Sequence, residues 1–248
     1  MSRRGFTAGL LAVMTAHTAA AQASGETPAP AAAAASSLNI MPFSAHFQAD
    51  WKNINVGTSD IELKPDTEPG HYVYRWTITA RGVFRVVYSD ALTQTSWFNV
   101  DSDHVRPNRY RGEQGSSSVD LAFDWRNRRA TGTSEKKPVD LRIMEGTQDV
   151  NSIQVEVMRD LENGNLPTTF QILDKDEVKE FIYAREGTAK IKTALGPLDT
   201  VIVSSQRAGS NRILRMWFAP SLGYVPVQAE RTRDGKLEFA MRISSLKR

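Results

Sequence analysis

Cysteine is absent from all 248 residues of this chain. Its absence excludes disulfides, thiolate metal sites and lipid attachment at a cysteine. A chain of this length can do without covalent staples, because it can bury a large core. Histidine is scarce: beyond residue 23 only His46, His71 and His104 occur. They lie far apart and form no ligand pair of a known spacing, so no metal and no cofactor is expected. Strong charge of either sign is missing too. The formal net charge is +3, and Arg3 and Arg4 contribute two of those charges. This balance does not suit nucleic acid as a partner. Past the N-terminal segment no apolar run approaches the ~20 residues that a membrane-crossing helix needs, and an integral membrane protein is not expected.

The N-terminus has its own grammar. Arg3 and Arg4 precede a small, apolar stretch from Gly5 to Ala16 built around Leu10, Leu11, Val13 and Met14, and Ala21-Gln22-Ala23 follows. Basic, apolar, then small-x-small is the order of a secretory signal peptide. Residues 1–23 are therefore expected to be a leader cleaved near Ala23, and the chain is expected in the periplasm. Residues 24–37 are Ala, Pro, Ser, Gly, Thr and Glu with no large apolar side chain, the composition of a disordered linker. Residues 38–248 remain as one domain, a size common for a single all-β fold.

That domain reads as strands. Phe43, Ala45, Phe47, Ala49 and Trp51 alternate with polar residues, and so do Tyr72, Tyr74, Trp76, Ile78 and Ala80. A period of two places each set on one face of a pleated strand. Apolar and aromatic content continues from Phe84 to Val100. Arg106 to Arg111 and Val119 to Trp125 are two more strands, separated by a Gly/Ser loop at 112–118. From Thr168 onward strand segments alternate with short breaks such as Lys175-Asp176, Glu186-Gly187, Gly196-Pro197 and Asp234-Gly235. Short breaks favour hairpins, and a run of hairpins is an antiparallel meander. One segment departs from this. Val150, Ile153, Val157 and Leu161 fall at helical spacing, with Asp149 placed to cap the start and Gly164 beyond the end. One helix is expected over Val150 to Glu162. Charged residues within strands, such as Glu177, Lys179, Glu180 and Arg185, and a C-terminus ending Leu246-Lys247-Arg248 argue against an outer-membrane barrel.

The order of these features resembles domain of unknown function family 3108, a group of exported bacterial proteins. Four stretches carry the resemblance. They are Phe43–Trp51 with Asn55-Val56-Gly57; Val105–Tyr110 with Phe123-Asp124-Trp125; Glu145–Asp149; and Leu195–Val201 with Met216–Pro220 and Tyr224–Val227. The resemblance implies a mainly β fold, a long, curved, open-faced antiparallel meander, half-barrel-like, with one short helix. It implies no activity and brings no catalytic or binding residue with it.

The residues themselves offer candidates. Gly115-Ser116-Ser117-Ser118 lacks the G-x-S-x-G form of a nucleophile elbow. Asp101 with Asp103, and Asp174 with Asp176, sit at strand ends where Asp forms turns. Asp149 reads as a helix cap. No catalytic residue and no enzyme is expected. Arg109 and Arg111, in a cluster with Arg106, Arg126, Arg128 and Arg129, have the bidentate fork that recognises anionic headgroups, or they form a solvated strand edge. Phe47, Trp51, Tyr74, Trp76 and Phe218 occupy apolar strand faces, which either form an ordinary core or leave a groove for a greasy ligand. One short helix covers little of a large sheet. The expected function is thus binding of a hydrophobic or amphipathic envelope molecule, a lipid for example, on an apolar sheet face. The alternatives are an interaction module for another envelope protein and a hydrolase with dispersed acidic residues.

Overall fold

The computed structural model describes residues 40–248 apart from Tyr88, Ser102 and Asp103. The expected leader and linker lie outside the described residues. Alternation makes the first strands: β1 (Phe43–Trp51) buries Phe43, Ala45, Phe47 and Ala49 and turns the residues between them outward. Lys52 and Asn53 both have positive φ, 47° and 66°, the conformation of a two-residue hairpin turn whose twist matches its strands. The chain continues through β2 (Ile54–Pro65) and β3 (His71–Ala80), a single helical turn α1 (Phe84–Val87), β4 (Leu92–Val100), β5 (Val105–Gln114), β6 (Ser117–Asp124), β7 (Arg129–Ser134) and β8 (Lys137–Arg142). Each strand pairs antiparallel with the one before it.

The pattern then breaks once. β9 (Gln148–Asp149) leads into α2 (Ser152–Glu162), which crosses over to β10 (Thr169–Asp174), parallel to β9. β11 (Glu177–Thr193), β12 (Gly196–Arg207), β13 (Arg212–Ala219), β14 (Val225–Arg233) and β15 (Lys236–Lys247) resume the meander. β15 then pairs with β1, with Phe47 opposite Ile243. The result is one open 15-stranded sheet whose edges are β8 and β9.

Three local expectations are corrected. Phe84 begins a helical turn rather than a strand. Glu186-Gly187 is a register shift inside the continuous strand β11, not a break between two strands; a bulge and a turn share the same Gly signal. The Gly/Ser segment 112–118 is mostly strand, closed by a tight turn at Gly115-Ser116.

The sheet is rolled. β5 and β9 are nearly its full width apart, yet Gln148 Nε2 donates to the Val105 carbonyl at 2.7 Å. Inside the roll lies α2, with Ile153, Val155, Val157 and Leu161 almost wholly buried. They share one core with Phe47, Tyr74 and Phe98 from one arm and with Phe170, Tyr183 and Phe218 from the other. A second core joins Tyr110, Leu121, Phe123 and Val139 to Leu173 of β10. Phe170 and Ile172 face the helix while Leu173 faces this second core, so β10 is covered on both sides. The β5–β8 wing thus overlaps the outside of the β9–β10 edge, as in a scroll. That edge is hidden from other strands, and the free edge β8 carries Lys137 and Pro138, residues that discourage further pairing.

Candidate functional site

The head of α2 is built by polar side chains. Asp149 is fully buried, and its Oδ1 accepts from the amides of Asn151 (2.8 Å) and Ser152 (2.9 Å) and from the Ser96 hydroxyl of β4. Asp149 therefore holds the start of the helix and ties it to the facing arm. Burial pushes its carboxyl above the ordinary aspartate range, and the hydrogen bonds from Ser96, Ser152 and Asn151 oppose that rise. These three donors give the acid a structural role at the helix start.

A cavity of about 200 Å³ opens between this end of the helix and the inner face of the sheet. Its apolar walls are Phe47, Ile61, Tyr74 and Trp76 from β1–β3, with Leu214 and Met216 from β13. The Trp76 indole N–H is satisfied by Ser59 Oγ at 2.6 Å, so the ring presents carbon to the cavity. Polar groups stand at the helix side and on β14. Asn151 is 1% exposed, and neither its Oδ1 nor its Nδ2 has a hydrogen-bond partner among the described residues. Gln154, Gln228 and Arg231 complete this polar part of the lining. Arg231 lies over the Phe239 ring, 5.9 Å from its centroid. A buried amide without a partner costs free energy, on the order of 1–3 kcal/mol per group, and a polar group on a ligand would recover it.

Phe239 is also the link to a second hollow. Beyond it, Ala49, Trp51, Gly57, Ile78, Phe84 and Leu92 line a space of about 380 Å³ at the end of the scroll that carries the β1–β2 turn. The same faces of β1 and β3 line both spaces, with Phe47, Tyr74 and Trp76 in the first and Ala49, Trp51 and Ile78 in the second, and Phe239 stands between them.

The aromatic candidates separate accordingly. Phe47, Tyr74 and Trp76 meet in the inner cavity, and Trp51 stands at the second hollow, partly exposed. Phe218 is fully buried in the core and lines neither space. Arg109 and Arg111 point out of the opposite face of β5 from Tyr110. Each has an acid of its own: Arg109 binds Asp120 through two nitrogens at 2.8 and 2.6 Å, and Arg111 binds Glu113 at 2.6 Å. Arg106 and Arg129 are paired likewise, with Glu145 and Asp140. The arginines are spread over β5–β7 and do not converge with the aromatics. Sequence reasoning missed Asn151, Gln228, Arg231 and Phe239. Asn151 carried a signal, since it stands two residues after the capping aspartate; the β14 and β15 residues become neighbours of the helix only when the sheet rolls.

A second polar group sits farther along α2. Glu156 accepts from the Val105 amide (2.8 Å) and from Arg159 (2.9 Å), with His104 Nδ1 at 3.4 Å, and Arg159 also donates to Asp160 (2.8 Å). Burial and the nearby Glu156 charge push the Asp160 carboxyl up to about 6, against the pull of Arg159. These groups latch the helix to β5. No cluster of three or more metal-ligating side chains occurs among the described residues.

The model of the family described as "Protein of unknown function (DUF3108)" matches residues 46–242. Among curated proteins none matches. Two solved structures are similar in outline. One is a protein described as exported, with a YmcC-like fold, from Bacteroides fragilis (7% identity, TM-score 0.34, covering 83% of this chain and 95% of that one). The other is described as a lipoprotein, from Parabacteroides distasonis (10% identity, TM-score 0.33, with the same coverage of each chain). Likeness this remote carries no argument about what this chain binds.

Proposed function

The chain belongs to the DUF3108 family, and from that premise we propose that it is a non-catalytic binding protein of the bacterial envelope, holding a hydrophobic or amphipathic molecule between α2 and the inner face of the sheet. The observation that carries this reading is the apolar cavity at Phe47, Tyr74 and Trp76, with the unpartnered amide of Asn151 on its lining. A ligand with an apolar body and one hydrogen-bonding group satisfies both features. The inner cavity alone accommodates about seven groups the size of a water or a methylene, taking ~30 Å³ for each. That is one acyl end or one small ring rather than a whole lipid. The leader-like sequence Arg3-Arg4 through Ala23 supports placing the protein in the periplasm. Asp149 has a structural role at the head of α2, which weakens a hydrolytic reading built on that residue.

The test is titration with a neutral apolar dye such as N-phenyl-1-naphthylamine, comparing the native chain with Leu214→Trp, which fills the cavity from β13. The native protein should give saturable fluorescence enhancement. The variant should lose more than about tenfold in affinity, ~1.4 kcal/mol, at an unchanged melting temperature. Equal binding by both proteins would place the dye elsewhere and sink the assignment of the cavity.

A further inference from the structure

Among the described residues, four of the eight exposed large hydrophobic side chains gather at one end of the scroll. Trp51 (38% exposed) and Ile54 (58%) bracket the β1–β2 turn, and Val83 (77%) and Val86 (87%) stand on the connection from β3 to β4. The other four, Met41, Met144, Ile182 and Leu195, are scattered. The two loops form one surface. The Arg81 amide donates to the Val56 carbonyl at 2.8 Å, and Trp51 and Phe84 line the same hollow. Val83 and Val86 bury almost nothing within the fold, so packing does not account for them. Exposed basic residues, Lys52, Arg81 and Arg85, lie among the apolar tips. Asp90, beside Ser89, is the acid on the lining of the hollow.

Asp50, the other carboxylate near this turn, is paired with Arg242, so the three exposed cations beside Asp90 favour an anionic partner. Short apolar tips with a tryptophan among them match the boundary between lipid headgroups and acyl chains, where apolar side chains insert shallowly and cations meet phosphate. We propose that this end of the protein docks on an anionic lipid surface, with Trp51, Ile54, Val83 and Val86 inserted and Lys52, Arg81 and Arg85 against the headgroups. Docked this way, the hollow lined by Trp51 and Phe84 faces the lipid. The proposal is separate from ligand binding in the cavity: each can fail while the other holds.

The experiment is vesicle flotation of the chain as the cell leaves it, its N-terminus read by mass. Vesicles of phosphatidylethanolamine with phosphatidylglycerol are compared with vesicles of phosphatidylcholine alone. The protein should float with the anionic vesicles and much less with the neutral ones. Binding should fall steeply in 1 M salt, where screening shortens to about 3 Å. The exposed double variant V83E/V86E should lose at least tenfold in partitioning with its circular dichroism unchanged, and K52E/R85E should do the same. Leu214→Trp, which fills the inner cavity, should float like the native chain. Absence of native flotation would overturn the proposal, as would equal flotation of V83E/V86E or no preference for anionic vesicles. Crosslinking of these tips to an envelope protein without vesicle binding would assign the surface to a protein partner instead.

Discussion

Glu156→Ala is expected to loosen the scroll more than any other single change on α2. The carboxylate is 4% exposed and reaches across to β5, where the Val105 amide, itself buried, donates to it at 2.8 Å. It also receives Arg159 Nη2 at 2.9 Å. Alanine removes both bonds, strands a buried N–H and leaves Arg159 with one fewer carboxylate. Breaking one side of a buried charge pair costs roughly 3–5 kcal/mol, a large share of a total stability of about 5–15 kcal/mol. For a domain of this size the melting temperature should drop by roughly 6–20 °C, at ~2–4 °C per kcal/mol. Glu156→Gln keeps an acceptor for Val105 and gives up only the charge, so it should cost about 1–2 kcal/mol. Urea unfolding at neutral pH, followed by circular dichroism, separates the two. Hydrogen exchange should localise the loosening to α2, β5 and β9. An alanine variant within about 1 kcal/mol of the native chain, or a glutamine variant as damaged as alanine, would refute the latch.

Asp160→Asn tests the same region through pH. Folding raises this carboxyl to about 6, so the folded chain holds the proton more tightly. The contribution is complete below the unfolded value of about 4 and is lost as pH rises through 6. The variant should therefore gain on the native chain between about pH 4.5 and 7, by at most ~3 kcal/mol, read as the difference in melting temperature at the two pH values. Asp149→Asn keeps an Oδ1 acceptor for the amides of Asn151 and Ser152 and should be near neutral, whereas Asp149→Ala should cost roughly 2–4 kcal/mol; equal losses in thermal melts would contradict the capping role. At Gly57 an added Cβ would meet the Thr79 carbonyl oxygen at 2.1 Å. Gly57→Ala should thus force β2 from β3 and destabilise by about 1–3 kcal/mol, and an unchanged urea midpoint would show that the pairing there is looser than described.

Strand faces and the helix were legible because their signals are local. Alternation at Phe43–Trp51 and Tyr72–Ala80 corresponds to β1 and β3, and the stripe Val150, Ile153, Val157, Leu161 falls on α2 and the turn that leads into it. β7 and β8 were not legible: Arg129–Ser134 and Lys137–Arg142 are short and mostly polar, with little apolar alternation to read. The polar side of α2 was misleading as well. Glu156, Arg159 and Asp160 would ordinarily mark a solvated face, but all three are buried, because β5 closes over them from about fifty residues away. The same closure decides the candidate site. Phe47, Tyr74 and Trp76 share a face that the pattern exposes directly. Phe218 shows the same pattern and lies in the filled core, because periodicity reports a face and not what the rolled sheet places against it. Arg109 and Arg111 were conspicuous as a cluster, while their partners Asp120 and Glu113 become neighbours only through the β5–β6 pairing and the strand geometry.

The most direct test of the proposed binding function is native mass spectrometry of the protein purified gently from cells, with solvent extraction of whatever accompanies it, run beside Leu214→Trp. A reproducible extra mass that extracts as an amphiphile and is missing from Leu214→Trp is the predicted result. A native chain that carries no added mass, or an added mass that persists unchanged in Leu214→Trp, would contradict it.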